Sequence, residues 1–285
     1  MSLLLAALTL AALSGCAAPS RAGGADAPSP SDHRSLVSAP GDATVTELWA
    51  KAPEVHALAV DRSGRLLVAT AVGLYRVDTD GTTSLVGSVQ LDLVALTVAS
   101  EGTLLGSARR APGSIAEPGN DQLLRSVDDG ATWSPVASTD RFDAQALAAR
   151  NQTIVAVDGT GVLASTNAGR TWRRGAAQQV WSIAVDTRTI WATGPTGLQR
   201  SDDNGRSFQP VTSAPRLSLA TAADDTTPWG ADDHGRVWTW SAPSGWLAVA
   251  SVGHVTAIAA LDTHTAFIVG DGHVLRITRP ALRSV

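Results

Sequence analysis

Six segments of the chain share one alternation of large and small residues: VHALAV (55–60), LVALTV (93–98), AQALAA (144–149), VWSIAV (180–185), RLSLAT (216–221) and VTAIAA (255–260). In each, the fourth position is Leu or Ile, and the third and fifth are Ala, Ser or Thr. A period of two places the large side chain on one sheet face and the small ones on the other. This asymmetry suits sheets packed face to face around an axis, where the bulk of one meets the small residues of the next.

Each segment is followed by a second apolar run: LLVAT (66–70), TLLGS (103–107), TIVAV (153–157), TIWAT (189–193), PWGA (228–231) and AFIVG (266–270). After a turn comes a third: GLYRV (73–77), QLLRS (122–126), GVLAS (161–165), GLQRS (197–201), RVWTW (236–240) and HVLRI (273–277). A fourth follows in WSPVA (133–137), WRRGA (172–176) and FQPVT (208–212). Four short strands per unit of roughly 40 residues predict an all-β chain, a six-bladed β-propeller of four-stranded blades. The last unit ends near Thr278 without a fourth strand, whereas VTELW (45–49) precedes the first unit and stands alone. That amino-terminal strand is expected to complete the last blade and so close the ring. A seven-bladed ring would need a hidden unit, and the surplus of about 13 residues in the second repeat is too small to hold one.

Between the third and fourth runs, one turn recurs. Ser126, Asp128, Gly130, Thr132 and Trp133 define it. Ser165, Asn167, Gly169, Thr171 and Trp172 repeat it, as do Ser201, Asp203, Gly205, Ser207 and Phe208. A fainter copy at 77–84 keeps Gly81 and Thr83. The acidic or amide side chain can accept from backbone amides of its own turn, glycine takes the positive φ, and the aromatic ring returns to the blade. Asn167 argues against a catalytic acid, and no distal bidentate acid is placed to complete a calcium loop. The turn reads as scaffolding. It resembles the Asp-box, or BNR repeat, S-x-D-x-G-x-T-W.

Composition adds an address. Residues 3–13 form an apolar run too short to span a bilayer, and Leu13-Ser14-Gly15-Cys16 follows. This stretch resembles the lipobox of bacterial lipoproteins, with Cys16 as the lipid-bearing residue. The expected organisation is a signal peptide over 1–15, a flexible tether over 16–43 rich in Ala, Pro, Ser and Gly, and a propeller over 44–285. Cys16 is the single cysteine, so an internal disulfide is excluded. A net charge of −4 with no basic cluster gives no sign of nucleic-acid binding. The expectation is a monomer outside the cytoplasm, held to the cell membrane by its lipid, needing no cofactor and no metal.

In a propeller, the loops joining strand four to the next strand one, and strand two to strand three, share the face that commonly takes ligands. That face is expected to carry His56, Asp92, Arg109, Arg110, Asp140, Arg141, Trp181 and His254, with Gln90, Asp143, Asp232, Asp233 and His234 nearby. His56 and His254 occupy corresponding places in the first and last units and could approach each other. The insertion at 108–122, which also holds Glu117, is the one irregularity of the repeat, readable as a functional loop or as a solvated excursion.

The stretches 55–77 and 123–133, with the repeats after them, resemble a family of bacterial surface lipoproteins with BNR repeats, often labelled glycosyl hydrolases. A hydrolase would need two convergent acids, drawn from Asp92, Asp140, Asp143, Asp158 and Asp232. Sialidase chemistry is not expected, because the Phe-Arg-Ile-Pro motif is missing and the only tyrosine, Tyr75, lies in a third-strand position. The layout also resembles the propellers of photosystem assembly factors and sortilin-type receptors, which bind proteins or peptides. A surface module that binds or assembles an envelope protein or glycan is the first expectation, and a glycoside hydrolase the alternative.

Overall fold

A computed structural model describes residues 43–88, 91–109, 122–136, 143–177, 179–222, 228–242 and 244–280. Cys16, the tether up to residue 42, Gln90, Arg110, Glu117, Asp140 and Arg141 lie outside them. Blade one holds β2 (Val55–Val60), β3 (Leu66–Thr70), β4 (Gly73–Val77) and β5 (Thr83–Leu85). Blade two holds β6 (Asp92–Val98), β7 (Leu104–Arg109), β8 (Gln122–Ser126) and β9 (Ser134–Pro135). Blade three holds β10 (Ala146–Arg150), β11 (Thr153–Asp158), β12 (Gly161–Ser165) and β13 (Arg173–Arg174). Blade four holds β14 (Ser182–Val185), β15 (Ile190–Gly194), β16 (Gly197–Ser201) and β17 (Gln209–Pro210). Blade five holds β18 (Leu217–Ala222), β19 (Pro228–Asp232), β20 (Arg236–Ser241) and β21 (Gly245–Ser251). Blade six holds β22 (Val255–Ala260), β23 (Thr265–Gly270) and β24 (His273–Thr278), and its fourth strand is β1 (Thr44–Trp49). Every pairing is antiparallel, so the chain is a six-bladed propeller closed by its amino-terminal strand.

The closure is specific in register. Thr44 pairs with Thr278 and Glu47 with Leu275, and a bulge at Leu48 sets Trp49 opposite Val274. Three of the fourth strands are only two residues long, shorter than the runs read from sequence. Pro135 and Pro210 are the last residues of two of them, and the residues that follow, Val136 and Val211, still donate their N–H groups to strand three. Blade five behaves differently: its fourth strand, GWLAVAS, is seven residues long and was not evident from the repeat.

The apolar core is divided into six clusters, one at each blade boundary. Leu58, Leu96, Leu147 and Ile183 each pack toward the preceding blade, while Ala59, Ala148 and Ala184 pack toward the next. Ile258 follows the same rule, half-buried at the boundary of blades five and six. This is the bulk-against-small arrangement that the alternation predicts. Blade five departs from it by one residue. There Ala220 pairs with Gly230 and packs toward blade four, while Leu219 turns toward blade six. The fifth segment is therefore displaced by one position from the alignment on Leu219. Leu217 compensates, filling the space over Gly230, where an added Cβ would lie 2.5 Å from its Cδ1.

The recurrent turns are built as their chemistry predicts. Ser126 Oγ accepts from Gly130 N at 2.9 Å and donates to Asp128 Oδ1 at 2.7 Å. Asp128 also accepts from Thr132 N at 2.9 Å and from the Thr132 hydroxyl. Trp133 Nε1 closes the turn onto Gly130 O at 3.1 Å. The Thr132 hydroxyl and amide, with Ser126, lower the Asp128 pKa to about 2. Asp203 is lowered in the same way, first by the Ser207 amide and then by the hydroxyls of Ser207 and Ser201. Asn167 keeps the architecture with one reversal, in which its Nδ2 donates to Thr171 Oγ1 at 2.9 Å. Gly130, Gly169 and Gly205 all sit at φ between 81° and 91°, each after another residue of positive φ. Gly205 O in turn accepts from Ala176 N, linking the turn of blade four to the outer edge of blade three.

Candidate functional site

Strand one of each blade is the innermost, and one edge of it faces the axis without a ladder partner. Together these strands frame a channel of about 930 Å³ running from His56 at one mouth to Asp61, Arg62 and Asn151 at the other. At the His56 end each inner strand carries a β-bulge, so that two residues oppose one on strand two. The register skips His56, Val94, Ser218 and Thr256. In the remaining blades Gln145 N donates to Val157 O, whose residue also pairs with Ala146, and Trp181 N donates to Thr193 O, whose residue also pairs with Ser182. Bulges re-aim side chains at strand ends and recur beside binding sites. Here they set a ring of His56, Val94, Gln145, Trp181 and Thr256 at one end of the channel, to which blade five adds no lining residue at this level.

The members of the ring differ in what they offer. Ser218, the bulged residue of blade five, lies outside the lining and donates its hydroxyl to Ala231 O at 3.1 Å. Gln145 and Thr256 are exposed. Trp181 is 53 % exposed, the largest apolar side chain left to solvent among the described residues. Blades one and four stand opposite each other in a ring of six, so His56 and Trp181 face across the mouth.

His56 is the one titratable member, and its partner comes from the next blade. His56 Nε2 lies 3.1 Å from Asp92 Oδ1, and Arg109 Nη1 lies 4.0 Å from Asp92 Oδ2. The first distance is that of an ion pair, yet neither atom has a hydrogen-bond partner of acceptable angle, and both atoms are sealed from solvent. The contact is therefore close but not directional. Arg109 is the exposed end of the cluster and neutralises the carboxylate. The structure thus brings together three of the expected face residues, His56, Asp92 and Arg109. It does not pair His56 with His254, whose backbone N–H is given to Asp271 Oδ1 at 3.1 Å.

Of the other acids weighed for hydrolysis, Asp140 lies outside the described residues, Asp143 is exposed, and Asp158 and Asp232 are committed locally. Asp158 accepts from the amide and hydroxyl of Thr160 and faces Arg174 at 3.4 Å. Asp232 accepts from His234 N, Arg236 N and Trp238 Nε1. Asp232, Asp233 and His234 form the one tight group of potential metal ligands among the described residues. Asp232 is spent on its own turn, and His234 Nδ1 faces the neighbouring Asp233 at 2.5 Å. Asp92 differs from Asp158 and Asp232 in that it meets His56 of the preceding blade instead of holding a local turn. Gln145 and Thr256 escaped the sequence reading, although both occupy the same second repeat position as His56 and Trp181. The signal was there in the alignment, but only the bulge shows that this position opens onto the channel.

No known protein family and no curated protein matches the chain. Its fold is shared with solved structures of low identity. A gluconolactonase from Xanthomonas campestris superposes with a TM-score of 0.66 at 14 % identity, over 87 % of this chain and 93 % of that one. A streptogramin B lyase gives 0.57 at 10 %, over 83 % and 97 %. The protein YCF48 bound to a peptide gives 0.54 at 12 %, over 87 % and 100 %. Enzymes and a peptide-bound protein appear on the same scaffold, so these likenesses establish the propeller and leave the chemistry to the site.

Proposed function

We propose that this propeller is a binding module that takes its ligand at the channel mouth between His56 and Trp181. The observation that carries the reading is the half-exposed Trp181 indole, held by a bulge at the rim of the channel framed by the inner strands. An aromatic surface with a few convergent polar groups is the usual make-up of a ligand site. The same reading takes the three turns at 126–133, 165–172 and 201–208 as Asp-boxes. It takes the chain as a BNR-type surface lipoprotein anchored through Cys16, which places the mouth within reach of envelope protein or glycan.

The experiment labels cells with radioactive palmitate and compares the wild type with Cys16→Ser, then tests the soluble propeller from residue 43 for retention of envelope material. Label on the wild type alone, and retention lost in Trp181→Ala, are the expected results. Unlabelled wild-type protein would remove the anchor, and unchanged retention by Trp181→Ala would remove the site.

One observation favours a second reading, hydrolysis. His56 beside Asp92, with Arg109 at the rim, brings an imidazole, a carboxylate and a cation into one place. The gluconolactonase and lyase neighbours fit that reading at the level of fold. Release of product from chromogenic glycosides or lactones, abolished in His56→Ala, would establish it.

A further inference from the structure

Resting on the binding reading, we infer that the mouth recognises a neutral saccharide, with one sugar ring lying on Trp181 and its hydroxyls meeting Gln145 and Thr256. Three independent features select this chemistry. First, the ring that frames the opening holds no formally charged side chain apart from the titratable His56, and its exposed members besides Trp181 are an amide and a hydroxyl. Second, the carboxylate that touches the ring, Asp92, lies 3.1 Å from His56 Nε2 and 4.0 Å from Arg109 Nη1, so its charge is compensated where it meets the opening. Third, the apolar surface is a single flat indole. The other large apolar residues exposed among the described residues are Val72, Leu85 and Val127, none of which lines the channel.

A protein partner would demand something else. Stable protein interfaces cover about 800 Å² per partner and centre on several buried apolar or aromatic anchors. One indole amid small polar groups is too little for that. It does suit a pyranose, whose C–H face is apolar and whose rim is a ring of hydroxyls. The amide of Gln145 and the hydroxyl of Thr256 each both donate and accept, which matches hydroxyls without requiring a fixed proton direction. The inner strand edges around the channel offer further backbone groups of both kinds.

The test uses the propeller from residue 43, which contains all six blades and the closing strand, labelled with nitrogen-15. Its nine tryptophans give nine indole N–H signals, and the one missing in Trp181→Phe identifies Trp181. Chitotriose, maltotriose and mannotriose are titrated in turn, followed by a bacterial envelope extract that has been treated with either protease or periodate. The expected result is a saturable shift of the Trp181 signal with a neutral trisaccharide, or with the extract in a form that survives protease and is lost to periodate. Affinity should fall about tenfold or more in Trp181→Ala, as for a central aromatic anchor. Gln145→Ala should weaken it by about threefold to tenfold through one lost hydrogen bond. A shift produced only by extract, lost to protease and indifferent to periodate, would overturn the saccharide while leaving a ligand at the mouth. No shift with any probe would overturn both readings.

Discussion

The rings of Trp49 and Tyr75 meet across the closure of the propeller, their centroids 5.1 Å apart and their planes inclined at 54°. Trp49 ends the amino-terminal strand of blade six, and Tyr75 lies in the third strand of blade one. The strand that closes the ring is thus held by backbone pairing on one side and by aromatic packing on the next blade. Beside it, His273 Nδ1 lies 3.0 Å from Glu47 Oε2.

These contacts differ in weight. Leu48 is buried in the cluster between blades six and one, and Leu48→Ala is expected to cost about 2–5 kcal/mol. Glu47→Gln should change stability by less than about 1 kcal/mol, because Glu47 is 44 % exposed and solvent screens the pair. Urea unfolding of both variants compares the two, and native-state hydrogen exchange should place the first opening at β1 and β24 in Leu48→Ala.

The recurrent turns should set the acid limit of the fold. Asp128 and Asp203 ionise at lower pH in the folded chain than in the unfolded one. Their contribution is complete above the unfolded pKa near 4 and is lost as pH falls through the folded value, about 2 for Asp128. The Asn167 turn has no ionising carboxylate at this position. Asn167→Asp should therefore keep its stability near neutrality and steepen the loss of melting temperature between pH 4 and 2, which thermal scans across that range would show. An unchanged slope would mean that Thr171 does not reverse its hydroxyl to donate to the new carboxylate.

Two glycine-to-alanine changes make a matched pair. A Cβ on Gly230 would lie 2.5 Å from Leu217 Cδ1 and 2.7 Å from Leu219 O, so overpacking there should cost about 1–3 kcal/mol. Gly159 has nothing within 4 Å of an added Cβ, and its substitution should be neutral or stabilising by up to about 1 kcal/mol. Chemical denaturation of the two variants tests whether the shift of register in blade five rests on the packing of Leu217 over glycine.

Much of this architecture is legible along the chain, because a propeller repeats its local rules. The alternation around Leu58, Leu96, Leu147 and Ile183 names the faces, and the orphan strand at 45–49 names the closure. Blade five was misread by one residue for a physical reason. Leucine at 219 satisfies the pattern, but the volume at that boundary is filled by Leu217 over Gly230, and spacing does not record volume. The long strand at 245–251 was hidden for a related reason, since it lacks the turn that announces the fourth strands of blades two to four.

By itself the sequence determined the blade count, the chemistry of the turns and the means of closure. All are set by residues near one another or by a repeating pattern. Only the tertiary structure decided which residues meet at the mouth of the channel. His56 and Asp92 are 36 positions apart in sequence and 3.1 Å apart in space, because neighbouring blades bring the starts of their inner strands together. Trp181 stands opposite because blade four is halfway around the ring. Pairing across blade boundaries, and the bulges that tilt those residues toward the axis, depend on packing that no local stretch of chain contains.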